Sequence, residues 1–156
     1  MKFRLTLYFL LLLVCSSCKH KTTVVESAYP DGSPKRVCVY LGKGENKQLI
    51  METFYYKNRK IQVEGEYKNA QRNGKWTYYY ESGIVWSDGF FKEGKSDGKR
   101  VTYFPNGKIR YEAHYKDDKR VGVWKFYDET GKLVRSVSFS KQGSNNDQNI
   151  PASGSK

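Results

Sequence analysis

Nine basic residues stand beside the predicted turns of this chain and are its first candidates for a binding surface. They recur at a constant step along the sequence: Lys68, Arg72, Lys75, Lys92, Lys95, Lys99, Lys116, Lys119 and Arg120. In a meander of hairpins such turns lie along one edge of the sheet, about 9–10 Å apart, because each hairpin adds two strands. A basic rim of this kind attracts anionic lipid headgroups, lipopolysaccharide phosphates or an acidic protein. The alternative is that lysines in turns only keep a flat sheet soluble and its edges unpaired.

A column of carboxylates, Glu64, Asp88 and Glu112, repeats with the same step. A calcium site needs about six oxygen ligands that converge on one point. Carboxylates two strands apart do not converge, so we predict no metal site. We expect these side chains to pair across the strands with Lys75 and Lys99.

Two aromatic residues, Trp86 and Phe90, fall on the polar side of the pattern and are candidate contacts for a sugar or a protein partner. Capping of the sheet is an equal alternative. His114 shares a side with Glu112 but has no Ser or Cys nucleophile at a corresponding position, so it predicts no catalytic site. The sequence has no glycine loop that opens a helix, no CxxC and no HExxH motif. We therefore predict a protein that is not an enzyme and needs no cofactor.

The composition of the chain favours a β-rich fold. Of its 156 residues, 38% are hydrophobic and 15% aromatic, with 14 glycines and two histidines. A helical bundle is richer in Leu and Ala, whereas aromatic and turn residues in such numbers are typical of many short strands. Two histidines leave little material for a metal site or a catalytic triad.

An internal repeat of 24 residues, the separation of Tyr55 and Tyr79, predicts the strands and turns that position these residues. Five columns keep this step: Tyr55, Tyr79, Tyr103 and Tyr127; Tyr67, Phe91, Tyr115 and Phe139; Ile61, Val85, Ile109 and Leu133; Gly74, Gly98 and Gly122; Gly83, Gly107 and Gly131. Turn signals fall at two places in each unit, for example over 68–74 and at Gly83, and separate runs of a common strand length. The predicted fold is an all-β, elongated antiparallel meander of 24-residue hairpins in a single sheet.

Alternation within the units predicts one buried face. In the first strand of a unit, apolar residues such as Val63 and Tyr67 alternate with charged ones such as Glu64 and Glu66. This pattern is typical of a sheet that is wet on one side. Aromatic pairs across strands contribute roughly 0.2–1 kcal/mol each, so stacked rings can hold a thin sheet together.

A partial unit precedes the regular ones. Residues 29–32 match residues 104–107, and three extra residues before Tyr67 predict an enlarged loop over 42–48. Cys38 falls in the column of Ala113, where glycines also stand, so we expect it to be a small buried residue.

The N-terminus predicts export. Lys2 and Arg4 precede a short apolar run over 5–14, and small residues then lead to Cys18. A basic start, a short apolar run and small residues fit a signal peptide, whereas a spanning helix needs about 20 apolar residues. We predict a signal peptide at 1–17. An exported protein seldom meets nucleic acid, so none is expected as a partner despite the net charge of +12.

Small residues followed by a cysteine resemble the bacterial lipobox, which makes Cys18 the lipid-modified first residue of the mature chain. Cys15 departs from the aliphatic residue usual at its position, and an ordinary cleaved signal is the alternative. Lys19 after the cysteine resembles outer-membrane routing, in preference to the inner membrane of a bacterial envelope. We expect a lipid-anchored polar linker at 18–28, the repeat array at 29–140, and a disordered polar tail at 141–156.

The repeat resembles the MORN repeat (membrane occupation and recognition nexus). The resemblance rests on segments 67–76, 91–99 and 115–124, is closest to a bacterial variant, and covers about residues 29–140. The sequence departs from the family at Ala70 and Asp118, where Gly is usual, and at Arg100, where Trp is expected. The resemblance implies a ladder of β-hairpins that serves as a scaffold for proteins or lipids.

Residues and resemblance together predict an exported lipoprotein that binds and does not catalyse. The expected partner is an unidentified protein, and antitoxin or immunity activity is implied by the resemblance alone. The alternative is peripheral binding of anionic membrane lipid or envelope glycan through the basic rim and the two aromatics. In either case the lipid on Cys18 is expected to hold the protein at a membrane.

Overall fold

A single antiparallel sheet makes up nearly all of the described structure. The computed structural model describes residues 20–139 and 148–151. Eleven strands lie in the sheet in the order in which they occur in the sequence, and the one helix among the described residues is a 3-10 turn, Gly44–Asn46. The predicted all-β meander is confirmed, and the 3-10 turn lies in the predicted enlarged loop.

The first ten strands have seven to nine residues each, as equal-length repeat units require, and the last has four. They are β1 (Lys21–Ala28), β2 (Pro34–Leu41), β3 (Gln48–Tyr55), β4 (Ile61–Lys68), β5 (Gln71–Tyr79), β6 (Val85–Lys92), β7 (Lys95–Tyr103), β8 (Ile109–Lys116), β9 (Lys119–Tyr127), β10 (Leu133–Phe139) and β11 (Gln148–Pro151).

Two-residue turns join β4 to β5, β6 to β7 and β8 to β9, and define what we call the short-turn edge of the sheet. In the first of these turns Asn69 has φ 51° and Ala70 has φ 59°. Positive φ at both residues is the type I′ geometry that matches strand twist. The strands thus run through most of the segment 68–74 that the sequence marks as a turn. Gly74, with φ 84°, lies instead beside an irregularity in the β4–β5 ladder.

Five-residue turns at 29–33, 56–60, 80–84, 104–108 and 128–132 define the opposite, long-turn edge. Each has the same two backbone hydrogen bonds; in one of them Tyr80 N–H donates to the Ile84 carbonyl and Gly83 N–H to the Tyr80 carbonyl, both at 2.8 Å. Gly83 has φ 93°, and Arg59 occupies the equivalent place with φ 66°. These are the second set of turns that the sequence predicts.

One row of residues crosses strands β1 to β10 on one face and forms the centre of the sheet. From β1 to β10 the row consists of Val24, Cys38, Glu52, Gly65, Trp76, Gly89, Arg100, Ala113, Trp124 and Val137. All five buried hydrophobic residues of the described chain belong to this central row. Cys38 is among them and fully buried, as its column predicts.

The array begins earlier than the sequence predicts. Lys21–Ala28, expected to be part of the polar linker at 18–28, pairs with β2 as the first strand. Because this edge strand is exposed on almost every residue, it lacks the alternation of apolar and charged residues that reveals the other strands. Its β-branched run over 22–25 is the signal that favours a strand.

The predicted signal peptide at 1–17 and Cys18 lie outside the described residues. The same holds for the predicted tail at 141–156, except for Gln148–Pro151, which pairs with β10 as a short strand. In the described parts of the chain, no helix is long and apolar enough to cross a membrane.

Candidate functional site

The face that carries the central row, which we call the ring face, is covered by aromatic side chains. Trp76 packs between Tyr67 and Phe91, with ring centroids 5.4 and 6.1 Å apart. Trp124 packs in the same way between Tyr115 and Phe139, at 5.2 Å from each. The four outer rings form the column predicted from the constant step of the repeat. They lie on one face, as the repeat requires.

Small residues of the central row make room for large ones on the next strand. Gly65 lies opposite Trp76, and a methyl group at Gly65 would overlap the indole ring. Gly89 stands in the same relation to Arg100, whose Nε would lie 3.0 Å from an added methyl group. The large positions, one in each repeat unit, are Glu52, Trp76, Arg100 and Trp124. Two of the four therefore carry a charge in the middle of the sheet.

Glu52 is the acidic member of this set and is 5% exposed. Its two carboxylate oxygens have separate donors: Arg36 Nε at 2.6 Å and the Tyr67 hydroxyl at 2.9 Å. A buried carboxylate without donors is costly, so these two bonds explain why Glu52 is tolerated where other units have tryptophan. Burial and the bond to Glu52 raise the pKa of Tyr67.

Arg100 is the basic member of this set. Its guanidinium occupies the place that the guanidinium of Arg72 occupies in the preceding unit. In the preceding unit Arg72 lies over Trp76 at 4.2 Å and over Phe91 at 5.6 Å. In the middle unit the residue equivalent to Arg72 is Ser96. Arg100 reaches the Ser96 hydroxyl with an Nη donor at 3.3 Å. Its guanidinium therefore lies in the row that Arg72 occupies two strands away.

Three guanidiniums thus form a row across the ring face, which we call the arginine row: Arg72, Arg100 and Arg120. Arg100 lies over Phe91 and Tyr115, at 5.6 and 5.1 Å. Arg120 lies over Trp124 and Phe139, also at 5.1 and 5.6 Å. Cation–π contacts contribute about 0.5–1 kcal/mol each at exposed sites and more when desolvated. The contacts also restrict where each guanidinium can lie.

The structure divides the nine residues of the predicted basic rim into three groups. Arg72 and Arg120 lie on the ring face, where they stack on rings. Lys75 and Lys99 lie on the opposite face in ion pairs. The remaining residues flank the short turns: Lys68, Lys92, Lys95, Lys116 and Lys119. The short-turn edge therefore carries fewer basic groups than the sequence alone indicates.

The charges at the short-turn edge are partly balanced. Lys116 pairs with Asp97 at 2.7 Å, and acidic residues occupy turn positions 93, 117 and 118. Asp118 accepts a hydrogen bond from the Ser96 N–H at 2.7 Å. Within the described chain, the other four edge lysines form no ion pair. They remain available to an anionic partner.

The opposite face, which we call the carboxylate face, bears Glu64, Asp88 and Glu112 in a column. Lys75 pairs with Asp88 at 3.0 Å and Lys99 with Glu112 at 2.5 Å, as predicted for these two carboxylates, whereas Glu64 forms no ion pair within the described residues. The bond from Lys99 lowers the pKa of Glu112. No group of three or more potential metal ligands occurs in the described ranges.

Tyrosines at the ends of the second strands complete this face. The Tyr79 hydroxyl donates to Glu64 at 2.7 Å and the Tyr127 hydroxyl to Glu112 at 2.9 Å. Burial, together with the bond to Glu64, raises the pKa of Tyr79 to about 12. Glu64 and Glu112 therefore have hydroxyl donors, and Asp88 and Glu112 have ammonium donors, whereas Asp88 Oδ1 is buried without a hydrogen-bond partner among the described residues. This face is a network of internal bonds more than a surface of free charges.

The two candidate aromatic residues lie on opposite faces. Phe90 is 47% exposed and stands opposite Lys75 on the carboxylate face. Trp86 is 44% exposed, and its ring packs edge-on against Tyr78 on the ring face, with centroids 6.0 Å apart. A β-bulge between Val85 and Ser87 turns Trp86 out of simple alternation. The two rings therefore cannot contact one sugar or peptide together.

His114 is exposed on the carboxylate face opposite Lys99. Its main-chain carbonyl accepts the indole N–H of Trp124 at 3.2 Å. Within the part of the chain that the structure describes, its side chain forms no hydrogen bond to a nucleophile or a proton relay. The contribution of His114 that the structure shows is this main-chain hydrogen bond to the Trp124 indole.

Hydroxyl groups at the long-turn edge tie successive units together, a feature that the sequence analysis missed. Tyr29, Tyr56 and Tyr80 each donate to a main-chain carbonyl at the end of a later strand, at 2.8, 2.7 and 2.9 Å. Phe104 occupies the same place and has no hydroxyl. The spacing of Tyr56 and Tyr80, which equals that of the five columns, is the signal that would have revealed them.

Comparison with known proteins identifies the repeat. Residues 72–93, 96–117 and 120–141 match the family model described as the MORN repeat variant. No curated protein matches the chain. The three matched segments begin at equal steps and together contain all of the arginine row.

Proposed function

Three consecutive MORN repeats make this chain a MORN-repeat protein, and on that premise we propose that it is a non-catalytic protein-interaction module of a bacterial cell envelope. MORN repeats generally act as modules that bind proteins or lipids. The observation that carries the proposal is the open sheet: over residues 20–139 no second layer covers either face. A partner thus has direct access to a broad surface whose charged groups are held in place by neighbouring rings.

The proposal is tested by capturing partners from the native envelope with the full-length chain. The control carries residues 1–20 of this chain in front of an unrelated domain, so that export and anchoring are matched. We expect at least one protein to be enriched on the repeat chain over the control and to be released by salt, because exposed charges are screened within about 10 Å at 0.1 M. Identical protein sets on both chains would contradict the proposal.

Anchoring at the envelope through a lipid on Cys18 is part of the same proposal. It is supported by the small residues before Cys18 and by the short apolar run that precedes them. Cys18→Ser should move the protein from the membrane fraction to the soluble fraction, whereas Cys15→Ser should not. Fractionation of inner and outer membranes tests the expected outer-membrane location. Retention of the Cys18 variant in the membrane would contradict lipid anchoring.

Antitoxin or immunity activity is the most specific form of the proposal, and its support is the family resemblance. If the captured partner is a toxin, its expression alone should arrest growth, and coexpression with the repeat chain should restore growth. The matched control is coexpression with the unrelated domain described above. A partner that is harmless when expressed alone would contradict this activity.

A second candidate function, binding of anionic lipid, is favoured by the four unpaired lysines of the short-turn edge. Each basic residue near an anionic membrane contributes roughly 1 kcal/mol. The Cys18→Ser chain should then float with anionic vesicles at low salt, and changing Lys92 and Lys95 to Glu should abolish flotation. Envelope glycan is tested with the same chain and variants, with Trp86→Ala and Phe90→Ala added. Absence of binding to both ligands favours the protein partner.

A further inference from the structure

The arginine row has two properties that a merely structural cation–π contact does not require. First, its three guanidiniums form no ion pair with any carboxylate of the described chain. By contrast, Arg36 on the same face is paired with Glu52. Second, the middle guanidinium is supplied by Arg100, from a different column, although Ser96 stands at the regular place. The row is therefore continuous where the repeat alone would interrupt it.

The guanidiniums keep most of their N–H donors available for binding. The guanidinium carbons of Arg72, Arg100 and Arg120 lie over rings, 4.2, 5.1 and 5.1 Å from the centroids, and each group has five N–H donors in its plane. Arg72 donates to the Tyr78 hydroxyl and Arg100 to the Ser96 hydroxyl, both at 3.3 Å. The paired planar donors of a guanidinium match the two oxygens of a carboxylate.

The spacing of the row sets a requirement on the partner. The guanidiniums lie over β5, β7 and β9, so each step is two strand separations, about 9.4–9.8 Å. Residues seven apart on an α-helix share a face and are about 10.5 Å apart. In an extended strand, residues on one face are about 6.8 Å apart, which does not fit a single step. A helix that lies across the strands fits the row to within about 1 Å per step.

We infer that the ring face binds an amphipathic helix of a partner protein, with acidic residues at intervals of seven that meet Arg72, Arg100 and Arg120. Apolar residues of that helix pack between them on the exposed edges of the aromatic rings. This inference rests on the proposed function and specifies the partner and the face. A second copy of this chain does not fit ring face to ring face, because both faces carry the same positive charges without ion pairs, and Glu64, Asp88 and Glu112 of its other face already bind internal donors.

An anionic bilayer fits the row less well than a helix. Arg72 and Arg100 are only partly exposed because they lie against rings, so an anion must reach between side chains to meet them. The phosphates of a bilayer lie in a plane, and the lysines of the short-turn edge, which are all exposed, are open to such a plane. A carboxylate on a side chain can enter where a headgroup layer cannot.

The test uses the full-length chain and a helical peptide of three heptads with one Glu in each heptad at the same heptad position. A matched peptide has the same composition, with the three Glu residues placed on different faces. We expect the in-register peptide to bind at least tenfold more tightly at low salt. Tenfold corresponds to about 1.4 kcal/mol, which is less than one charge-assisted bond typically contributes. Equal affinity for the two peptides would overturn the inference.

Variants of the chain locate the binding. Arg100→Trp removes the middle guanidinium and inserts the residue that fills the equivalent sites at Trp76 and Trp124; we expect about tenfold weaker binding. Lys119→Gln removes the same charge from the short-turn edge and should change affinity less than about threefold. If Arg100→Trp does not fold, Arg120→Gln replaces it. Similar losses in the row variant and in Lys119→Gln would overturn the inference.

Three further results would also overturn the inference. The first is that the chain binds anionic vesicles and Arg100→Trp abolishes this binding. The second is that the chain dimerises and Arg100→Trp abolishes dimerisation. The third is that Arg100→Trp captures the native partner as well as the wild-type chain does. The third result would leave the proposed interaction function intact, but the partner would then bind a surface other than the ring face. Failure of the wild-type chain to capture any specific partner contradicts the proposed function itself. Specific binding of the in-register peptide in that case still supports the chemistry of the row.

Discussion

Two pairs of equivalent sites in the central row are filled in opposite ways. Trp76 and Trp124 fill theirs with buried indole rings, whereas Glu52 and Arg100 place charged groups in the same register. All four sites lie in the central row, and each large side chain has a small residue opposite it on the preceding strand: Cys38, Gly65, Gly89 or Ala113. The comparison teaches that the ladder requires volume at this site and tolerates charge where the neighbouring side chains satisfy it.

The largest difference is expected when the large side chains are truncated. Trp76→Ala should lower the free energy of unfolding by about 3–5 kcal/mol, because Trp76 is 1% exposed and its loss leaves a cavity between two rings. Arg100→Ala should cost about 1 kcal/mol, the value of its cation–π contacts. Urea denaturation measures both. Equal losses would show that the two kinds of site do not differ.

The next effect concerns the charge of Glu52. Glu52→Gln keeps the size of the side chain but leaves one of the two donors, Arg36 or Tyr67, without an oxygen acceptor. We expect the free energy of unfolding to fall by about 1–3 kcal/mol. Glu66→Gln, at an exposed position on the same strand pair, is the control and should change stability by less than about 0.5 kcal/mol. A loss of the same size in both variants would count against a role for the bonds of Glu52.

Arg100→Trp converts a charged site into a tryptophan site like those of Trp76 and Trp124. We expect it to stabilise the fold by about 1 kcal/mol. The indole N–H groups of Trp76 and Trp124 donate to the carbonyls of Glu66 and His114. The Phe90 carbonyl is the equivalent acceptor for a tryptophan at position 100, and a net hydrogen bond contributes about 0.5–1.5 kcal/mol. Thermal and urea unfolding measure the change. A loss of more than about 1 kcal/mol would mean that the sites are not equivalent.

The smallest effects are shifts in tyrosine ionisation. Burial raises the pKa of both Tyr67 and Tyr115. The neighbouring Glu52 raises the pKa of Tyr67 further, whereas the positive charge of Arg100 opposes the rise at Tyr115. Glu52→Gln should therefore lower the pKa of Tyr67, and Arg100→Trp should raise that of Tyr115. Spectroscopic titration of the tyrosines measures both. Shifts of the two groups in the same direction would contradict the comparison.

The raised pKa of Tyr67 also makes the stability of the folded protein depend on pH. The pKa is higher in the folded protein than the usual 10.0, so the unfolded chain loses its proton first as pH rises. The contribution of Tyr67 is therefore complete below about pH 10 and is lost as pH rises through the folded pKa. Glu52→Gln should reduce this alkaline loss.

Much of the fold follows from the sequence because one physical requirement repeats. Equal steps between Tyr67, Phe91 and Tyr115 place rings in one column of one sheet, and turn residues occur between the runs. The positions of long charged side chains do not follow in this way. Arg72 and Arg120 follow the same period as the edge lysines, but rings on neighbouring strands attract them onto the ring face.

Two other features depend on contacts that periodicity does not contain. A β-bulge between Val85 and Ser87 changes the face of Trp86, although alternation alone places it beside Phe90. The first strand, β1, is an exposed edge, so nothing selects for an apolar face along it. The charged sites at Glu52 and Arg100 become visible in the sequence only when the constant step is followed from Trp76 in both directions.

The central claim is that residues one repeat unit apart occupy equivalent places on one face of one sheet. Nuclear Overhauser effects between side-chain ring protons in the full-length chain test it most directly. We expect contacts from the Trp76 indole to Tyr67 and Phe91, and from the Trp124 indole to Tyr115 and Phe139. Absence of these four contacts in a folded protein, or contacts of either indole with rings of a more distant unit, would contradict it.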